Sequence, residues 1–341
     1  MTLTTALAIL GAVVLLALVA QAWWKARQVR PRQSTHSLPP SERVEPALHE
    51  STTPLVDDAP LLRSHSRQLP RIDALIDAIV PLALEAPVTG EFALLHLPPS
   101  RRAGTKPFYV EGLDTETGTW ETLSPGRRYG ELQAGVQLAN RSGPLNEIEY
   151  SEFLQKIGTL AESISATADV PDMLEVVARA RELDGLAAPL DAQLSVTLRT
   201  NGVAWSVGFV QQVATRLGMV SGAVPGRWVL VSTEEGAPPM LSLSVDPQAA
   251  LAEDPQTAVV RECQLSLDVP QTPASVEPFP AWHLMGKKLA DDLDATACDD
   301  FGEPITLHAF DAIGREIDEL YGRLERLDLA AGSAAARRLF S

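Results

Sequence analysis

The sequence predicts an α+β protein: two tandem mixed domains behind an N-terminal transmembrane helix. Three observations lead there. Residues 3–24 carry no charged side chain. After a Pro-rich stretch the chain alternates between period-2 apolar runs, the pattern of strands, and 3-4 spaced apolar stripes, the pattern of helices. Four short sequence blocks also recur in the same order in the two parts of the body, the mark of an internal repeat.

The anchor comes first, over residues 1–25. The run from Leu7 to Ala20 is almost wholly apolar and includes Leu10 and Leu16, with Leu3 just before it. A bilayer core of about 30 Å needs roughly 20 such residues as a helix. Trp23 and Trp24 follow, and amphipathic rings favour the membrane interface. Lys25, Arg27, Arg30 and Arg32 come next, which by the positive-inside tendency leaves the rest of the chain cytoplasmic and the N-terminus periplasmic. Ala20-Gln21-Ala22 also fits a signal-peptidase site, the pattern of an exported protein. The charge distribution opposes that reading, because a signal peptide carries its positive charge before the apolar run.

Residues 26–70 read as a flexible tether, rich in Pro, Ser and charge and punctuated by Pro39-Pro40, Pro46, Pro54 and Pro60. The formal net charge of the 341 residues is −16, and the first 32 hold four basic and no acidic side chains, so the remainder stands at −20. So acidic a body excludes nucleic acid as a partner. Two cysteines, Cys263 and Cys298, without CxxC spacing fit a reducing compartment.

The body divides into residues 71–188 and 189–328, followed by a basic tail over 329–341 in which Arg337-Arg338 are expected to fray. Leu160-Ala161-Glu162-Ser163-Ile164-Ser165-Ala166-Thr167-Ala168 lines up with Leu289-Ala290-Asp291-Asp292-Leu293-Asp294-Ala295-Thr296-Ala297. Tyr150 and Phe279 each stand ten residues earlier. Val136-Gln137-Leu138 pairs with Cys263-Gln264-Leu265, and Asp77-Ala78 with Asp191-Ala192. In the second part, Leu194, Val196 and Leu198 alternate as a strand, and a helix is expected from about Ala204 to Leu217. Strands follow at 228–231, 241–245 and 265–269, then a helix from near Pro280 with Ala281, Met285, Leu289 and Leu293 inward. A short strand at 295–298 leads to a last helix capped by Thr306 and striped by Phe310, Ile313, Ile317, Leu320, Leu324 and Leu327. The first part has the same order, with its first helix cut at Pro98-Pro99.

No sequence signature of catalysis is present. There is no phosphate-cradling Gly-rich loop, no G-x-S-x-G elbow and no His-Glu-x-x-His. The expectation is a protein that is not an enzyme, takes no small-molecule substrate, and needs no cofactor or metal. His36, His49 and His65 fall in the tether. His283 and His308 lack ligand spacing toward Cys298 or Asp299. Asp299-Asp300 reads as turn chemistry, since adjacent carboxylates in extended chain point apart.

Residues 190–325 resemble the C-terminal FtsZ-binding domain of the ZipA family of bacterial division proteins. The resemblance rests on Cys263-Gln264-Leu265-Ser266-Leu267-Asp268-Val269-Pro270, on Phe279 opening a helix that Leu289-Ala290-Asp291-Asp292-Leu293 closes, and on Asp299-Asp300 before Pro304-Ile305-Thr306. The layout of anchor, Pro-containing tether and distal domain is similar as well. The resemblance implies a split β-α-β fold, and with the internal repeat two tandem split β-α-β domains, each an antiparallel sheet with helices on one face. The resemblance covers a single such domain, and the internal repeat supplies the second; the resemblance also implies an open groove on the other face that takes the FtsZ C-terminal peptide and tethers the FtsZ ring to inner-membrane lipid during septum assembly. Strand alternation turns Leu265 and Leu267 toward the helices and Gln264, Ser266 and Asp268 toward the groove. The family's groove has a large aromatic where Ser266 stands, so Trp228, Leu230 and Met240 are the candidates for an apolar floor, with Ser244 and Ser266 beside them. The other reading has Trp228 and Leu230 packed under a loop or against the first domain. The family has one such domain and a longer tether. A scaffold for another division or envelope protein is the alternative function.

Overall fold

The computed structural model describes residues 71–341 apart from 233–235, 253–257, 306 and the side chains of 307–309. These residues belong to one compact unit, 64–341. The proposed anchor and tether, including Leu3, Leu10, Leu16, Trp23, Trp24, Lys25, Arg27, Arg30 and Arg32, lie outside the described residues. Among the described residues no helix is long and apolar enough to cross a membrane.

The fold is mixed α and β with antiparallel sheets. In order, the first half runs β1 (Asp77–Thr89), α1 (Gly90–His96), β2 (Arg102–Ala103), β3 (Lys106–Asp114), β4 (Trp120–Thr122) and β5 (Arg128–Gln137). The hairpin β6 (Ala139–Asn140) and β7 (Gly143–Pro144) follows, then α2 (Glu147–Ser163), β8 (Ala166–Ala168) and α3 (Met173–Ala187). The second half runs β9 (Gln193–Thr200), β10 (Trp205–Ser206), α4 (Val207–Arg216), β11 (Val220–Ser221), β12 (Arg227–Leu230), β13 (Leu241–Ser244), α5 (Pro247–Ala250), β14 (Val259–Val260) and β15 (Glu262–Asp268). It ends with α6 (Pro278–Leu293), β16 (Ala295–Cys298), α7 (Leu307–Arg326) and α8 (Ala334–Leu339).

The two sheets share one order. The first reads β8-β1-β5-β3-β2 with β4 added beside β3; the second reads β16-β9-β15-β13-β12 with β11 added outside. Both hairpins from the long helix into the edge strand turn through a left-handed residue, Ser165 (φ 53°) and Asp294 (φ 51°). These are the residues the block alignment paired. The strand blocks, however, are slipped. Leu82 faces Ala168 and Leu198 faces Ala297, so Leu82 corresponds to Leu198, two residues from the block match. Leu132 lies opposite Leu82 and Cys263 opposite Leu198, so Cys263 corresponds to Leu132, four residues from Val136. Both slips are even, which leaves every side chain on its own face of the sheet.

Each sheet buries one face against helices. In the first, Ala78, Val80, Leu82, Phe108, Val110, Leu132 and Ala134 meet the stripe Tyr150, Phe153, Ile157 and Leu160 of α2. Asn146 and Glu149 close a capping box at the start of α2, satisfying amides that the first turn leaves free. In the second, Val196, Leu198, Leu243, Leu265 and Leu267 meet Trp282, Met285, Leu289 and Leu293 of α6. The Trp282 indole N–H donates to the Leu265 carbonyl oxygen at 3.2 Å. Helix α4 starts three residues later than expected, because Trp205-Ser206 pairs with Val259-Val260 and the Ser206 hydroxyl caps the helix. Helix α6 starts two residues earlier, at Pro278, whose ring suits a first turn. The expected cap Thr306 of α7 lies outside the described residues.

The C-terminal segment overturns the expectation of a frayed basic tail. Ala335, Ala336, Leu339 and Phe340 are buried. Gln137 Nε2 donates to the Arg338 carbonyl oxygen at 2.7 Å and Gln271 Nε2 to that of Phe340 at 2.7 Å, so one glutamine from each half grips the same turn. The Arg338 guanidinium reaches across to Asp77, at 2.5 and 2.8 Å, and also donates to the Arg71 carbonyl oxygen. It lies 4.7 Å from the centre of the Tyr109 ring. The tail reads as basic because of Arg337-Arg338, yet its apolar positions Leu339 and Phe340 find a core between the halves.

Candidate binding groove

The outer faces of the two sheets are treated differently. On the first, the Glu111 carboxylate is buried and accepts the amides of Arg71 and Ile72, the Ile72 side chain sits against Gly135, and Arg338 covers Tyr109. Residues 71–72 and Arg338 thus close over that face. On the second, α4, α6 and α7 all lie on the opposite side, and the outward side chains remain accessible.

Register fixes which side chains those are. Trp228, Leu243, Leu265 and Val196 form one row across the sheet, and that row faces the helices. Trp228 is only 4% exposed. Leu230 shares its parity and packs against the same core. This corrects the expectation that Trp228 and Leu230 floor a groove. In the tetrapeptide Arg227-Trp228-Val229-Leu230 the charged residue takes the solvent side, and alternation then turns both large apolar residues inward.

The outward rows are polar apart from Val229. Arg227, Ser244, Gln264 and Thr197 form one; Val229, Ser242, Ser266 and Ser195 form the next; Asp268 and Gln193 stand in the third. The middle row consists of short side chains, flanked by longer ones on both sides. It therefore forms the floor of a trough that crosses the strands. Four strands at their usual spacing make it about 14 Å long. A cavity of about 400 Å³ opens here, lined by Arg227, Met240, Ser242, Ser244, Ser266 and Asp268, with Arg141 and Gln193 at its end. Met240, Ser244 and Ser266, three of the candidate groove residues, thus line one cavity. A second cavity, of about 720 Å³, shares Ser244 and continues past Gln264 and Thr197 toward Val259 and Arg261.

Arg141 comes from the first half, in the β6–β7 hairpin. Its guanidinium binds both carboxylates that flank the junction: Nη2 to Asp191 at 2.6 Å and Nη1 to Asp268 at 2.7 Å. Burial works against its charge, but the hydrogen bonds it donates to Asp191 and Asp268 outweigh it and hold the guanidinium above its usual range. Arg227, by contrast, has no carboxylate partner among the described residues. The sequence reading found neither arginine. Arg141 carries no local signal, since its partners lie 50 and 127 residues away. Arg227 was legible from alternation alone.

The other candidate chemistry resolves into structure. His283 stacks on Phe310 with ring centres 4.2 Å apart; the His308 side chain lies outside the described ones. Asp299 Oδ1 accepts the amides of Phe301 and Glu303 and so shapes a turn. Among the described residues no cluster of His, Cys, Asp and Glu has metal-binding geometry. The chain matches no protein-family model and no curated protein.

Proposed function

We propose that this chain is a non-enzymatic, membrane-tethered binding protein of ZipA-like design, whose outer groove on the second sheet takes the C-terminal tail of FtsZ and so holds the FtsZ ring at the inner membrane during septum assembly. The observation that carries the reading is the uncovered trough over Ser242 and Ser266, on the face opposite the helices. The repeated strand order supports the view of the body as a duplicated split β-α-β unit. In this view the first copy has closed its outer face with residues 71–72 and the C-terminal segment and serves as a platform, while the second keeps its face open.

A trough floored by serines binds an extended peptide through hydrogen bonds to side chains more than through apolar burial. A single contact of that kind is weak, and many tails on one polymer raise the effective affinity. The test is a titration of labelled FtsZ C-terminal peptide into the full-length protein in nanodiscs. Saturable binding with a dissociation constant of roughly 10–100 µM is expected, and Ser266→Trp, which fills the floor, is expected to abolish it. No saturation at high micromolar peptide removes this reading.

The inward turn of Trp228 and Leu230 favours one second reading, a scaffold for a different division or envelope protein, because the apolar floor of the ZipA resemblance is missing. Co-purification of the tethered protein with a partner other than FtsZ, lost in Ser266→Trp, distinguishes it.

A further inference from the structure

The trough is electrically polarised, and its polarity defines part of what it binds. One wall carries Arg227, a cation without a carboxylate partner among the described residues. Its cross-strand neighbours on that wall are Ser244 and Gln264, both neutral. The other wall carries Asp268 and, beside it, Asp191, which share the single cation Arg141. Two carboxylates against one guanidinium leave that end with a net charge of −1. Arg199 pairs with Glu262 on this same face, and Arg141 with two aspartates, yet Arg227 stands over a serine floor.

We infer that Arg227 is the receptor for a carboxylate of the bound peptide, and that this pairing fixes how the peptide lies in the trough. The inference rests on the peptide-groove reading and deepens it. A guanidinium presents N–H groups in a fixed fork that matches a carboxylate bidentately. The acidic body repels anionic peptides at long range, so an acidic ligand is tolerated only where a local cation outweighs that field. A C-terminal tail brings at least one carboxylate, its terminal group. With that anion against Arg227, basic groups of the same peptide are drawn to the Asp191–Asp268 end.

The experiment is a double-mutant cycle on the full-length protein in nanodiscs. The probes are the free-acid FtsZ C-terminal peptide and a neutralised version, with a C-terminal amide and every Asp and Glu replaced by Asn and Gln. The protein arms are the native chain, Arg227→Gln and Arg227→Lys. Neutralising the peptide and Arg227→Gln are each expected to weaken binding roughly tenfold. Together they should cost no more than either alone, and Arg227→Lys should recover part of the loss. Equal affinity of the native protein and Arg227→Gln for the free-acid peptide overturns the inference and leaves the groove reading standing, as does full additivity of the two changes. No binding of either peptide to the native protein removes the groove reading and this inference together. Arg227 is exposed and outside the core, so these variants keep the fold.

Discussion

Arg338→Met is expected to destabilise the folded body by about 3–5 kcal/mol, the range for breaking one side of a buried ion pair. Asp77 is fully buried and Arg338 is 14% exposed at its side chain, so neither charge is compensated by water once its partner is gone. The same guanidinium also holds the Arg71 carbonyl and the Tyr109 ring, which adds to the loss. Chemical denaturation of the native and variant proteins measures it directly. An unchanged denaturation midpoint means that the C-terminal segment does not hold the halves together.

The effect carries a pH signature of defined sign. Burial pushes the Asp77 carboxyl up, and the Arg338 guanidinium offsets this only in part. A carboxyl whose folded pKa is raised binds its proton more readily in the native state than in the unfolded chain. Its contribution to stability is therefore full below the unfolded value, near 3.8, and is lost as pH rises through the folded value. Removing Arg338 takes away the opposing influence and pushes Asp77 higher still. The Arg338→Met protein should lose more stability than the native protein between pH 4 and neutrality, and adding Asp77→Asn should abolish that excess slope.

The second large effect is expected at Trp228. Trp228→Ala should cost about 3–5 kcal/mol, the range for deleting a large aromatic from a packed core. Its indole lies in the row with Leu243, Leu265 and Val196, beneath the helices. Affinity of the folded protein for the FtsZ peptide should stay within about twofold, because the side chain is on the far side of the sheet from the trough. A large loss of affinity with stability unchanged would place Trp228 on the outer face after all. Trp228→Phe, which keeps most of the volume, should fall between native and alanine in stability.

Sequence pattern and tertiary structure contributed differently to the elements and to the groove. The helices with strong stripes, such as Tyr150-Phe153-Ile157-Leu160, were legible because a 3-4 spacing admits one buried face. The edge strand was expected at 295–298 directly after the helix, and the structure places it there, with the left-handed Asp294 between them. The block alignment located the helix-to-strand hairpins and slipped by two and four residues in the strands. Period-2 patterns repeat too often within a strand to fix a register, and an even slip preserves the pattern that is being matched. Of the groove candidates, Met240, Ser244 and Ser266 line one cavity, while Trp228 and Leu230 face the helices. Aromatic and aliphatic residues on a short strand signal burial without saying on which side.

The sequence by itself determined the class of the fold, the inward helix stripes, the acidity of the body and the outward turn of Gln264, Ser266 and Asp268. Each of these follows from local periodicity or composition. Only the tertiary structure decided that the last residues are a clasp between the halves, that Arg141 spans 50 and 127 residues to hold the junction, and that the floor of the trough is serine. Those features depend on contacts between segments far apart in the chain. A glutamine in each half, an arginine near the C-terminus and an aspartate at the first strand have no relation until the fold brings them within hydrogen-bond distance.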